Sequence, residues 1–170
     1  NPDTPDALLR ALHLAGAWLD DNREQAVALL AAYLPVAPRV LAPALLGHTG
    51  YRPDRGDAPE PDLLVFHRYL ANYPWVSHGY WFLNQMARWG WLRGDQDLSA
   101  LAASCYRPDL YRRALDHTPL PGQDWKGEGI HAGPWRLDTS QGEIGMGADT
   151  FIDGEEWQLR SMKVLHQSAP

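Results

Sequence analysis

"YPWVSHGYWFLNQMARWGWL", residues 73–92, carries four of the eight tryptophans of the chain: Trp75, Trp81, Trp89 and Trp91. Ser77 reads as an N-cap, residues 78–89 as a helix and Gly90 as its terminator. On that helix Trp81, Gln85 and Arg88 recur at intervals of four and three and share one face. Tyr80, Leu83 and Ala87 form a second face, and Phe82, Met86 and Trp89 a third. A helix apolar nearly all round is normally buried between others. Core packing is therefore the first expectation, with Trp81 and Trp89 as core residues. Two sharper readings stand beside it. His78, Trp81 and Gln85 could point into a cleft as hydrogen-bond donors to a small anion, with His78 in the first turn, where unpaired backbone N–H groups favour negative charge. Alternatively, the aromatic excess marks a partner surface, where Trp, Tyr and Met are enriched.

Upstream, residues 5–20 read as a helix with Leu8, Leu12, Ala15 and Leu19 on one stripe. Residues 23–34 form a second helix with Val27, Leu30, Ala31 and Leu34 inward. A short helix ends at Gly47, a polar Pro/Gly loop covers 48–61, and a helix spans 62–72 until "NYP" stops it. Downstream, 96–104 and 108–116 are two more short helices. Residues 119–158 then hold eight glycines and three prolines. That composition excludes helix over most of the stretch and predicts ordered loop with short strands near 134–138 and 156–160, pinned by Trp125, Trp135 and Phe151. An Asp-Gly turn is expected at Asp153–Gly154. The division is thus a helical region over 1–117, a Gly/Pro-rich ordered loop over 118–157 and a tail over 158–170.

The 170 residues carry a net charge of −6. No basic field exists to hold nucleic acid directly, and no apolar run approaches the roughly 20 residues that cross a bilayer. Cys105 is the one cysteine. It excludes an intrachain disulfide, argues against a cysteine zinc site, and is expected as a small buried side chain. The seven histidines are scattered, with no HxH, HxxxH or HExxH, so no metal site is read. There is no GxSxG nucleophile, no phosphate-binding glycine loop and no calcium loop. Nothing here calls for a cofactor or for catalysis. The chain opens on a helix-start signal, with Thr4 as cap, Pro5 at the first position and Asp6 on the dipole. Such a start reads as a piece of a longer protein.

Residues 1–34, "NPDTPDALLRALHLAGAWLDDNREQAVALLAAYL", together with Tyr73, Pro74, Ser77, His78, Trp81, Phe82, Leu83, Arg88, Trp89 and Gly90, resemble the nitrate- and bicarbonate-binding proteins of ABC transporters and the related cytoplasmic nitrate sensors. "YRPDLYRRAL", 106–115, and "FIDG", 151–154, extend the likeness. It is close over 1–116 and weak over 117–157, and the tail "EEWQLRSMKVLHQSAP" departs from the family pattern. The resemblance implies the C-terminal, helical portion of a two-lobed α/β periplasmic-binding-protein-like fold. It implies a small oxyanion (nitrate, nitrite or bicarbonate) held in the cleft between lobes, with most contacting residues upstream of Asn1. The partner is then an ABC permease, with a periplasmic location, or, in the sensor branch, an RNA-binding antiterminator sequestered in the cytoplasm. The tryptophans become a helical layer backing one lobe.

Overall fold

The aromatic stretch forms α4, Val76–Arg88, in a computed structural model that describes residues 3–48, 59–92, 95–126, 131, 133–139 and 141–151. The described residues also include α1 (Asp3–Asp21), α2 (Arg23–Tyr33), α3 (Pro38–Leu45), α5 (Leu98–Cys105) and α6 (Pro108–Ala114). One antiparallel hairpin, β1 (Trp135–Thr139) and β2 (Gly142–Met146), follows them. The described chain is thus mainly helical with a two-stranded sheet. It divides into two compact units, Arg10–Asn72 and Asn1–Leu9 with Tyr73–Pro170.

In the unit Arg10–Asn72 the expected stripe of α1 is not the buried one. Leu12 is 58% exposed, whereas His13 and Gly16 are buried. The face carrying His13, Gly16 and Asp20 packs against residues 66–72. A Cβ at Gly16 would stand 3.0 Å from the Phe66 carbonyl oxygen, so glycine permits the close approach. Asp20, its side chain 1% exposed, organises the contact. Its carboxylate accepts the backbone N–H groups of Phe66, His67 and Arg68, at 2.7–3.2 Å, and is paired with Arg23. Burial alone would raise its pKa; the three N–H bonds and Arg23 hold it below the ordinary carboxylate value.

This is also why 62–72 is not the expected helix. The N–H groups at 66–68 serve Asp20 instead of carbonyls one turn back. Tyr69 and Leu70 then take positive φ (58° and 55°), leaving one 3-10 turn over Arg68–Leu70. In α2, Val27 is buried, Leu30 and Ala31 are half-buried and Leu34 is exposed. Gly47, φ +76°, follows α3; a side chain there would run into the Glu60 carbonyl, whose residue donates its N–H to Gly47 O.

In the other unit α4 begins earlier than its sequence suggests. Trp75, fully buried, takes the cap position, and Ser77 lies inside the first turn. Instead of capping, the Ser77 hydroxyl accepts the N–H of Lys126 at 3.2 Å, and the N–H of Val76 donates to the Asp124 carbonyl at 2.9 Å. The loop 124–126 is thereby fastened to the start of α4. Val76, Tyr80, Leu98 and Ala102 form a core cluster, with Trp81, Leu83 and Trp125 packed against it. Gly79 is required because a side chain would overlap the Tyr106 ring.

Trp89 is a correction to the core expectation. It sits at the C-cap, 59% exposed, its ring edge-on to exposed Trp91. The buried residues of α4 are Val76, Ser77, Gly79, Tyr80 and Asn84, and at 3.6 residues per turn position 89 falls on the opposite side of the helix. Gly90, φ +75°, closes it as expected. Cys105 is exposed rather than buried, at the last turn of α5. The strand expected near 134–138 is β1. Its partner is 142–146, in register Trp135 opposite Met146; residues 156–160 and the Asp153–Gly154 turn lie outside the described residues.

Candidate functional site

A cavity of about 290 Å³ opens beside the first turns of α4. His78, Trp81 and Phe82 line it from the helix, and Lys126, Ala148, Asp149, Thr150 and Phe151 from two loops. Most of its wall is apolar. The Trp81 ring meets Phe82 edge-on with centroids 5.1 Å apart and lies 6.0 Å from Phe151, tilted by 31°. These separations fall in the range of favourable aromatic pairs.

The polar end is built on Asp149, whose side chain is 3% exposed. Lys126 Nζ is bonded to its Oδ1, and His131 Nδ1 lies 2.7 Å from its Oδ2. The N–H of Asp149 donates to the His131 carbonyl at 2.8 Å. The His131 ring in turn stacks flat on Trp135, centroids 3.8 Å apart and planes within 6°. Strand β1 thus steadies His131, His131 steadies Asp149, and Asp149 holds the Lys126 ammonium at the cavity. The Lys126 backbone is held independently by Ser77, so both ends of that residue are restrained.

Burial, and then the charge of Lys126, push His78 down to about 4, against the opposing pull of Asp149. At pH 7 the lining therefore presents a neutral imidazole, an ammonium, a carboxylate and the hydroxyl of Thr150. Both carboxylate oxygens of Asp149 already have partners. The polarity left for a ligand includes the further N–H bonds of the Lys126 ammonium, which has three in all and spends one on Asp149.

Of the residues singled out in the sequence, His78 and Trp81 come together in this cavity. Gln85 does not line it; its Oε1 accepts from Arg88 Nη1 at 3.3 Å on the exposed surface. Lys126, Asp149, Thr150 and Phe151 were missed, because they lie in glycine-rich loops without periodicity. One signal was available: Lys126 and Lys163 are the only lysines among the 15 basic residues. Among the described residues no group of three or more His, Cys, Asp or Glu could hold a metal ion, and no helix is long and apolar enough to cross a membrane.

Comparison with known proteins brings up several curated relatives. The nitrate/nitrite binding protein NrtA of Synechococcus elongatus is 30% identical over 135 residues, 75% of this chain and 30% of its own length. NrtA of Synechocystis is 29% identical over 161 residues, 91% of this chain and 32% of its own. The nitrate import ATP-binding protein NrtC of Synechocystis is 32% identical over 128 residues, 71% of this chain and 18% of its own. The chain thus spans about a third or less of the length of these relatives. Neither a family model nor a solved structure matches it.

Proposed function

We propose, for a chain related over most of its length to part of the nitrate/nitrite-binding proteins, that it belongs to a solute-binding protein for a small oxyanion serving ABC-transporter uptake. The observation that carries this reading is the match to NrtA over 91% of the chain. In it, residues 1–117 form a helical layer of a two-lobed α/β binding protein. Residues 118–157 supply the loops that carry Lys126 and Asp149, and 158–170 are a tail. The ligand is nitrate, nitrite or bicarbonate, and the permease of the transporter is the partner. Binding works by closure: the lobes shift towards the closed state because the anion meets more donors there. No chemistry is performed on it.

Within this chain the proposed ligand-binding residues are His78, Trp81 and Gln85. His78 supplies an uncharged donor, and Lys126 adds the positive group beside it. Trp81 forms the wall; Gln85, grouped with them from the sequence, does not line the cavity, so any part it plays lies outside it. The relatives reported above are nitrate/nitrite binding proteins and a nitrate import ATP-binding protein, which favours the transporter branch over a sensor that sequesters an antiterminator. Calorimetry on the complete polypeptide tests the reading. Millimolar nitrate, nitrite or bicarbonate should give a saturable heat; silence with all three would remove it. His78→Ala should weaken binding by about 1.5–3 kcal/mol, the range for hydrogen bonds to charged groups.

A further inference from the structure

In the unit Arg10–Asn72, α1 buries its polar side and leaves its apolar side to solvent. His13 and Gly16 are buried, and the Asp20 carboxylate is closed in by the N–H groups of residues 66–68. Ala11, Leu12, Leu14, Ala15 and Trp18 are all exposed, the two leucines by more than half. Residue 11 neighbours 14 and 15, 12 neighbours 15, and both 14 and 15 neighbour 18, at spacings of three and four. Helix geometry therefore joins the five into one surface. None of them carries a charge. An amphipathic helix on the outside of a protein is normally turned the other way.

The chemistry of the face narrows what covers it. A helix lying on a membrane carries Lys and Arg on its polar side; α1 has four aspartates and one arginine. Three partly exposed large side chains and two alanines present on the order of 400 Å² of apolar surface. A stable pair of free molecules buries about 800 Å² on each partner, and two copies of this chain would each bring a net charge of −6. A surface in the same polypeptide needs less area, because the tether removes most of the entropic cost of association. The NrtA relatives extend well past the part this chain matches, which is 30% and 32% of their lengths. Ala11 and Ala15 lie between the larger side chains, so a second backbone can approach closely there.

We propose that the face Ala11, Leu12, Leu14, Ala15 and Trp18 of α1 docks onto an uncharged, apolar element in the remainder of the binding protein, outside these 170 residues. The proposal rests on the reading of this chain as part of a larger solute-binding protein, and it names the side of the helical layer that meets the rest.

The test uses the complete polypeptide, with the exposed Cys105 changed to Ser. Leu12→Cys and Leu14→Cys are each labelled with a maleimide in native buffer and in urea, and the labelled peptides are read by mass spectrometry. Each thiol should react at least about tenfold more slowly in the native protein, as a covered side chain does when it reacts only through local opening. Native rates closer than that to the unfolded ones overturn the inference. A photoreactive p-benzoyl-phenylalanine in place of Leu14 then identifies the cover. A cross-link within one molecule to residues outside these 170 supports the inference. A cross-link to another part of these 170 residues, or between two copies, overturns it. If that variant does not fold, the thiol rates on dilution decide: protection that falls with concentration belongs to a second copy and overturns the inference, and protection that holds supports it. Unprotected thiols together with a nitrate heat overturn the inference and leave the oxyanion reading standing. Protected thiols with no heat from nitrate, nitrite or bicarbonate support the docked face and remove the oxyanion reading. A native polypeptide no longer than these 170 residues overturns the inference outright.

Discussion

Two buried carboxylates, one in each compact unit, are satisfied in opposite ways. Asp20 is met by three backbone N–H groups at 66–68 and by Arg23. Asp149 is met by two side chains, Lys126 and His131. Backbone donors cannot swing away without unmaking the chain path, so Asp20 acts as a clamp that shapes a loop. Side-chain donors leave part of their capacity uncommitted, and here one of them borders a cavity. The contrast suggests how to separate a buried acid that builds structure from one that prepares a site: ask whether its partners have N–H bonds left over.

The comparison breaks if the two acids respond alike to removal. Asp20→Ala strands three backbone donors and takes the anion from Arg23, which keeps the Leu45 and Leu64 carbonyls, and should cost about 3–5 kcal/mol on urea unfolding. A cost under about 1 kcal/mol would mean that the loop 66–68 holds itself without the clamp. Asp149→Ala strands the Lys126 ammonium and should cost about 2–4 kcal/mol. Adding Lys126→Met should recover more than half of that loss, since the orphaned charge goes with it. No equivalent rescue by Arg23→Met is expected for Asp20, whose remaining partners are three backbone N–H groups and, at 3.8 Å, the Arg68 guanidinium.

Acid sharpens the contrast further. His78 is held at about 4 in the folded chain, against the ordinary histidine value of 6.5 once the chain unfolds. Between these values the unfolded chain binds the extra proton and the folded chain does not. The stability contributed by neutral His78 is therefore complete above pH 6.5 and is lost as pH falls towards 4, by at most about 3.4 kcal/mol. Urea midpoints followed over that window should fall in the wild type and flatten in His78→Gln. His13, lowered by burial and by the charge of His67, contributes a slope of the same sign; some pH dependence therefore survives in that variant. The smallest effect is expected at Trp89, where Trp89→Ala should cost under about 1 kcal/mol, as surface changes do. A loss of about 3–5 kcal/mol would restore it to a core.

Helices α1, α2, α3, α5 and α6 were legible to within a few residues, because proline, glycine and periodicity act locally. Pro38 and Pro108 open two of them and Gly90 ends α4. The buried face of α1 was not legible. Leu8 and Leu12 advertise one stripe, yet Gly16 and Asp20 mark the one that a distant loop covers. The failed helix at 62–72 has the same origin: Asp20 lies 46 residues before Phe66, and no window of local sequence contains both.

At the site the division is the same. By itself the sequence determined a mainly helical chain, the glycine-rich break after residue 117, the kinship carried by 73–90, and the placing of His78 and Trp81 near the start of one helix. Those depend on backbone preferences and side-chain spacing within a few turns. Only the tertiary structure decided that Trp75 rather than Trp89 is buried, that Ser77 serves Lys126 instead of capping its helix, and that Lys126, Asp149 and His131 meet beside His78. Each of these is a bargain between segments remote in sequence. A buried polar atom must find a partner wherever the fold supplies one, and its identity is settled by packing, not by its neighbours in the chain.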